Sequence, residues 1–328
     1  MKLGKFVTRL GSWILGRPGP YAVYMEPTLR CNFRCVFCPV WRTNPYPEEA
    51  SGEVFNHLLD DAWMRGARVI SIIGGEPLLH RDIAEIATHA VDVGYYTQIV
   101  TNGLLLHRHF SERWLRDIDI LAVSFTLWEK EFNETRGTTH FETVKSNIER
   151  AHSIGCKVRL LDAVGPETLP MAEATAKYAE HLGVPLHLSS IVPEPREGYP
   201  KAEWVGAKNF IERMVKLKRD YPHTVKYTDT LDKMRLDGGF NKHIPCRAGE
   251  VVCSMKPDGS IVYPCPAYPK ANMMDLANPT PEEVKSCAKW SALSGKAAFC
   301  DGCQLGCMYP TGMMGHPMQT LRWIFDNI

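Results

Sequence analysis

No apolar run in this 328-residue chain approaches the roughly 18 residues of a membrane span, which excludes an ordinary transmembrane helix. Charge of one sign is also missing. The 38 basic side chains meet 37 acidic ones for a net charge of +1, so no nucleic-acid partner or acidic tail is indicated. A secretory leader is not recognisable, and the expected location is the cytoplasm, a reducing compartment. Neither a Ser–His–Asp constellation nor a paired-carboxylate motif is legible, and the 12 histidines are scattered. With 45% hydrophobic and 23% charged residues the chain can bury a large core, and its length allows one large domain or two. Against these absences stands one excess, 11 cysteines, an odd number in a chain too large to need disulfides as staples.

The cysteines fall into two groups. Cys31, Cys35 and Cys38 form a compact C-x3-C-x2-C, and Cys156 stands alone. Cys246, Cys253, Cys265, Cys287, Cys300, Cys303 and Cys307 crowd the last quarter. Close thiols in a reducing compartment point to metal rather than to disulfides. Three thiolates can wrap an iron–sulfur cluster, but a [4Fe–4S] cube needs four ligands, so one iron would stay open to a substrate or cofactor. Zinc competes for the same thiols. Yet the nearest histidine in sequence is His57, and no H-x3-5-H spacing follows.

Downstream, short β-rich runs alternate with helical patterns. Strands are expected at 22–26, 68–73, 95–101, 118–125, 157–163 and 186–191, with helices at 53–63, 81–93, 141–154 and 170–182. Six βα-type units imply an α/β fold with a parallel sheet and right-handed crossovers, a partial (βα)6 barrel rather than a closed eight-stranded one. Sites of such folds lie at the carboxyl ends of the strands. Most of the unusual residues fall there: the cysteine triplet after the first strand, Gly74-Gly75-Glu76-Pro77 after the second, Thr101-Asn102-Gly103 after the third, and Ser124 and Thr126 at the fourth. Arg159 lies within the fifth. A Gly-Gly pair lets backbone approach a ligand, and Glu76 offers a carboxylate to an ammonium group.

Cys31-Asn32-Phe33-Arg34-Cys35-Val36-Phe37-Cys38, followed by the Gly-Gly-Glu-Pro and Thr-Asn-Gly segments, resembles the radical S-adenosylmethionine (SAM) superfamily over roughly residues 20–195. The resemblance implies that Cys31, Cys35 and Cys38 hold a [4Fe–4S] cluster whose open iron chelates the methionine part of SAM. It also implies that Gly74, Gly75 and Glu76 meet the methionine ammonium, with Phe37 beside the adenine. Pro77 and Asn102 complete the two motifs, and Ser124 and Arg159 match ribose or carboxylate contacts, Arg159 equally an ion-pair partner. The implied activity is reductive cleavage of SAM and hydrogen abstraction from an unactivated C–H bond, fed by a flavodoxin- or ferredoxin-type donor.

Beyond residue 240, Met255 to Pro264 reads as a hairpin with an Asp258-Gly259 turn, flanked by cysteines. This stretch is similar to the SPASM or shorter twitch extension of radical SAM enzymes, which implies an auxiliary [4Fe–4S] cluster. Cys246, Cys265, Cys300 and Cys303 fit that arrangement, with Cys253 and Cys307 as rivals. The expected organisation is an amphipathic helix at 1–19, a core at 20–235 and a cysteine-rich extension at 236–328. Leu3, Phe6, Val7, Leu10, Trp13 and Ile14 share one stripe of that first helix, with Lys2, Lys5, Arg9 and Ser12 opposite. This is the pattern of a peripheral contact with the inner membrane face, or of a helix packed across the barrel end. Three substrates follow as expectations: a membrane-associated lipid, another small molecule, or a peptide. The non-enzymatic alternative is an iron–sulfur or zinc protein.

Overall fold

A computed structural model describes residues 21–165, 168–191, 209–227 and 252–263, with the backbone of 272–274. Its centre is one sheet of ten strands among the described residues, in the order β10-β9-β8-β1-β2-β3-β4-β5-β6-β7. The strands are β1 Ala22–Met25, β2 Val69–Ile72, β3 Tyr96–Thr101, β4 Ile120–Ser124, β5 Val158–Val164, β6 Leu186–Ser190, β7 Val225–Lys226, β8 Val252–Met255, β9 Ile261–Tyr263 and β10 Asn272–Met274. Eight of them, from β8 to β7, run parallel, and β9 and β10 return antiparallel. The expected partial α/β barrel is present, with two parallel strands more than the six units predicted.

Seven helices are described: α1 Gly52–Met64, α2 Ile83–Val93, α3 Trp114–Asp117, α4 Glu129–Arg136, α5 Phe141–Ser153, α6 Ala172–Leu182 and α7 Phe210–Asp220. Helix α1 shows how local sequence sets an element. The Ser51 hydroxyl accepts from the Val54 N–H as an N-cap, and Phe55, Leu58, Leu59 and Ala62 then recur at helical spacing and are buried. That stripe joins Ile86 of α2, Val144 and Ile148 of α5 and Ala176 of α6 in one core against the sheet.

The pleat sorts the strand residues by parity. Val23, Met25, Ile70, Ile72, Ile99, Leu121, Val123, Leu160 and Leu186 are all essentially inaccessible and face the helices. Tyr24, Ser71, Gln98, Ser124, Arg159 and His187 lie on the opposite, inward face by register, and all but Ser71 are half-buried. Val69, Val100, Ile120, Ala122 and Leu161 share that face, so it mixes polar and apolar side chains, and Gln98 Nε2 donates to Ser71 Oγ at 3.0 Å across it.

The hairpin was expected after Cys253. The structure instead places Cys253 inside its first strand, β8, which pairs with β1 so that Val23 faces Cys253 and Met25 faces Met255. The Cys253 thiol is 1% exposed in the apolar core, and burial pushes its pKa up to about 12. Packed with Val23, Met25 and Ile261 in the apolar core, Cys253 lies inside the sheet rather than on a loop before the hairpin. Cys246, Cys265, Cys300, Cys303 and Cys307, and the amino-terminal amphipathic stretch, lie outside the described residues.

Candidate active site at the carboxyl edge of the sheet

The triplet sits on the loop that leaves β1, with all three thiols half-buried. Phe33 anchors this loop; it is fully buried and meets Phe132 of α4 edge-on at 6.2 Å. The end of α4 holds the loop by backbone bonds, Arg34 N–H to Arg136 C=O at 3.0 Å and Val36 N–H to Thr135 C=O at 2.9 Å. Helix α4 ends at Gly137, with φ +56°, where a Cβ would stand 2.9 Å from the Arg34 carbonyl oxygen. On the other side, Arg30 makes a bidentate pair with Glu49, both bonds 2.7 Å. The Trp41 indole N–H donates to the Cys35 carbonyl at 2.9 Å.

The glycine pair after β2 is used for a close approach, but to protein. Gly75 N–H donates to Thr28 C=O at 2.9 Å and Glu76 N–H to Arg30 C=O at 2.8 Å. A Cβ on Gly75 would lie 2.1 Å from the Arg30 carbonyl oxygen. The pair therefore seats the cysteine loop on the edge of β2.

Glu76 also differs from expectation. Its side chain is 1% exposed and three internal donors occupy it: Thr101 O–H at 2.7 Å, Asn102 N–H at 2.7 Å and Leu78 N–H at 3.1 Å. It ties β2 to β3 and caps the 3-10 turn that Pro77 opens. Burial nevertheless pushes its pKa up to about 7. Asn102 Nδ2 donates to Asn32 Oδ1 at 2.6 Å, which leaves Asn32 Nδ2 buried with no hydrogen-bond partner at this edge.

Sequence reasoning missed Arg136. It is 2% exposed, and its Nη1 donates to Ser124 Oγ at 3.2 Å and its Nη2 to Thr126 Oγ1 at 3.4 Å. The guanidinium lies 5.8 Å from the Phe37 ring centre, and its charge opposes the burial that raises the Cys35 thiol. Thr126 O–H passes on to Asp162 Oδ1 at 2.5 Å. Burial pushes that carboxyl up to about 6. The available signal was helical: Glu129 and Glu131 in a first turn, Arg136 in the last, and Gly137 directly after. Arg159 lies apart from this group, opposite Ala122 on the inward face, where burial lowers its pKa.

A parallel sheet with its helices outside, an inward face that carries Gln98, Ser124, Arg159 and His187, and a three-thiol loop after the first strand defines an open α/β barrel with its site at the carboxyl edge. Residues 25–179 match the Radical SAM superfamily, and they form a radical SAM enzyme domain. A probable GTP 3′,8-cyclase of Methanococcus maripaludis is 24% identical over 262 residues, 77% of this chain and 86% of that protein. A PqqA peptide cyclase of Bradyrhizobium diazoefficiens is 35% identical over 97 residues, 27% of this chain and 24% of that one. Streptococcus suis SuiB bound to S-adenosylmethionine shares the fold at TM-score 0.66 and 15% identity, covering 91% of this chain and 77% of its own.

Membership implies a [4Fe–4S] cluster and SAM, and the residues present fit them. Among the described residues no three His, Cys, Asp or Glu side chains converge on a single metal ion, whereas a cubane takes one thiolate at each of separate corner irons. Burial raises the Cys31 and Cys35 thiols, and the Phe33 N–H, 3.5 Å from Cys31 Sγ, opposes it at Cys31 as the Arg136 cation does at Cys35. Three soft thiols, two of them with a local donor or cation, suit iron and sulfide.

Proposed function

We propose that Cys31, Cys35 and Cys38 hold a [4Fe–4S] cluster at which the chain cleaves SAM, and that the substrate lies on the inward face of the sheet. When bound, cluster and SAM supply a one-electron reductive cleavage to methionine and a 5′-deoxyadenosyl radical able to take hydrogen from a C–H bond. The observation that supports this reading is the cysteine loop itself, which leaves the carboxyl end of β1 and is clamped by α4 and by the edge of β2. The unpartnered amide of Asn32, the backbone around Gly74 and Gly75, and Phe37 border the space for SAM. Tyr24, Gln98, Arg159 and His187 line the floor below, and water is excluded from behind by the packed helices.

The mixed polar and apolar side chains of the inward face suit a small molecule or a peptide. The peptide reading draws on the PqqA peptide cyclase among the relatives, and the amphipathic stretch at 1–19 supports a substrate met at a membrane. Cys246, Cys265, Cys300 and Cys303 would hold an auxiliary cluster. Anaerobic reconstitution tests both clusters. Full-length protein should bind about eight iron per chain with an auxiliary cluster and about four without it. Reduced with dithionite, it should convert SAM to 5′-deoxyadenosine, and Cys35→Ala should not. Equal turnover by Cys35→Ala overturns the reading.

A further inference from the structure

A surface arginine ordinarily lays its stem on the protein and leaves its charged head in water. Arg34 is exposed, yet its head turns back on its own loop. Its Nη1 donates to the Cys31 carbonyl at 2.7 Å and to the Phe33 carbonyl at 3.0 Å. The Cys35 carbonyl takes the Trp41 indole N–H at 2.9 Å, reached from six residues on. The two donors meet: the Arg34 guanidinium lies 5.4 Å from the centre of the Trp41 ring, and the Arg42 guanidinium lies 5.0 Å from it. Trp41 stands on the 3-10 turn Val40–Arg42 that follows the last cysteine, where its own carbonyl accepts from the Tyr46 hydroxyl at 3.2 Å. Arg34 is tied through its N–H to the Arg136 carbonyl at the end of α4. None of these bonds uses a thiol sulfur.

We propose that Arg34 and Trp41 are positioning residues for the iron–sulfur site: interlocked outside the cysteine loop, they brace the carbonyls of Cys31, Phe33 and Cys35 and so set how firmly the cluster is held. The proposal rests on the reading of Cys31, Cys35 and Cys38 as cluster ligands. A carbonyl fixed in space fixes its whole peptide plane. The planes leaving Cys31 and Cys35 are therefore set, and the loop cannot turn those thiols aside without giving up bonds to the brace. A ligand frame held by the protein loses little freedom when it takes up metal, so the cluster binds more tightly and leaves more slowly.

The test is anaerobic release of iron from the reconstituted full chain to excess EDTA, with Cys35→Ala giving the baseline of any iron held elsewhere. Trp41→Phe keeps a ring for both guanidiniums and loses only the N–H, and it should release iron about fivefold faster than wild type. Arg34→Gln gives up two charge-assisted bonds and should release it about tenfold faster, with Arg34→Lys recovering part of the difference. Because the two side chains are interlocked, the double variant should be slower than the product of the single effects. The iron-free variants should melt within about 2 °C of iron-free wild type. A variant that melts like wild type yet takes up no cluster also supports the brace. A release rate equal to wild type in either single variant overturns the proposal and leaves the cluster reading standing. Iron-free Trp41→Phe that melts well below wild type overturns it too, since the role is then plain packing. Wild-type iron no higher than that of Cys35→Ala overturns both.

Discussion

Glu76 and Asp162 are carboxyls held where carboxylates are disfavoured, and the consequence is a pH dependence of stability with a definite sign. Burial pushes Glu76 from 4.5 to about 7 and Asp162 from 3.8 to about 6. Between about pH 4 and 7 the folded chain therefore binds more protons than the unfolded one, and stability falls as pH rises through that window, then levels off. For Glu76 the shift corresponds to about 3 kcal/mol at most. Glu76→Gln does not titrate, and its amide cannot accept from both Asn102 N–H and Thr101 O–H. It should be less stable than wild type, most of all near pH 4.5, with the gap narrowing toward pH 7. Thermal melts of both proteins from pH 4.5 to 8 check this; a gap that widens with pH refutes it. The residue types at these positions were legible in sequence, but their direction was not. A glutamate beside Gly-Gly reads as a ligand-facing carboxylate until the three donors around it are seen.

At the scale of elements, the contacts that carry the site join a loop to a strand edge and a helix end. Gly75 shows how little slack there is: an added methyl meets backbone atoms of Leu29 and Arg30 at 2.1 to 2.6 Å, and backbone cannot rotate away. Gly75→Ala should cost about 3 kcal/mol or more and lower iron uptake, because the cysteine loop must lift off β2. Gly155, with φ +90° and nothing within 4 Å of an added Cβ, provides the contrast. Gly155→Ala should cost about 1–2 kcal/mol of backbone strain and leave iron binding unchanged. Denaturant melts and iron analysis separate the two; equal iron loss in both variants would show that the contact with the loop is not what matters. The six core strands and four of the five long helices described, all but α7, were readable because their apolar residues alternate or recur at fixed spacing. Helix α4 was not, since only Phe132 and Arg136 of its eight residues are buried and its charged turns read as a loop. The buried cation at its end was hidden with it.

The sheet does not stop where the composition changes. Residues 252–263 return to the first strand, and β8 extends the parallel run on the far side of β1. Periodicity could show a hairpin there but not its partner, because pairing between β1 and β8 joins residues about 230 apart and leaves no local trace. The register explains the attachment. Cys253, Met255 and Ile261 are each at most 1% exposed. Met255 faces Met25, and Pro257 C=O accepts from Ala50 N–H at 2.7 Å. The Lys256–Glu26 ion pair at the rim is partly exposed and is worth at most about 1 kcal/mol. Burial of the three apolar side chains contributes about 6 kcal/mol at roughly 2 each, a large share of the 5–15 kcal/mol by which whole domains are stable. A chain cut after residue 250 should therefore aggregate or melt far below the full chain, while Lys256→Ala should melt within a few degrees of it. Soluble yield and melting temperature of the two variants decide the matter. A truncated protein that stays monomeric with an unchanged melting temperature would mean that β1 does not need β8, and that the cysteine loop is held from the α4 side alone.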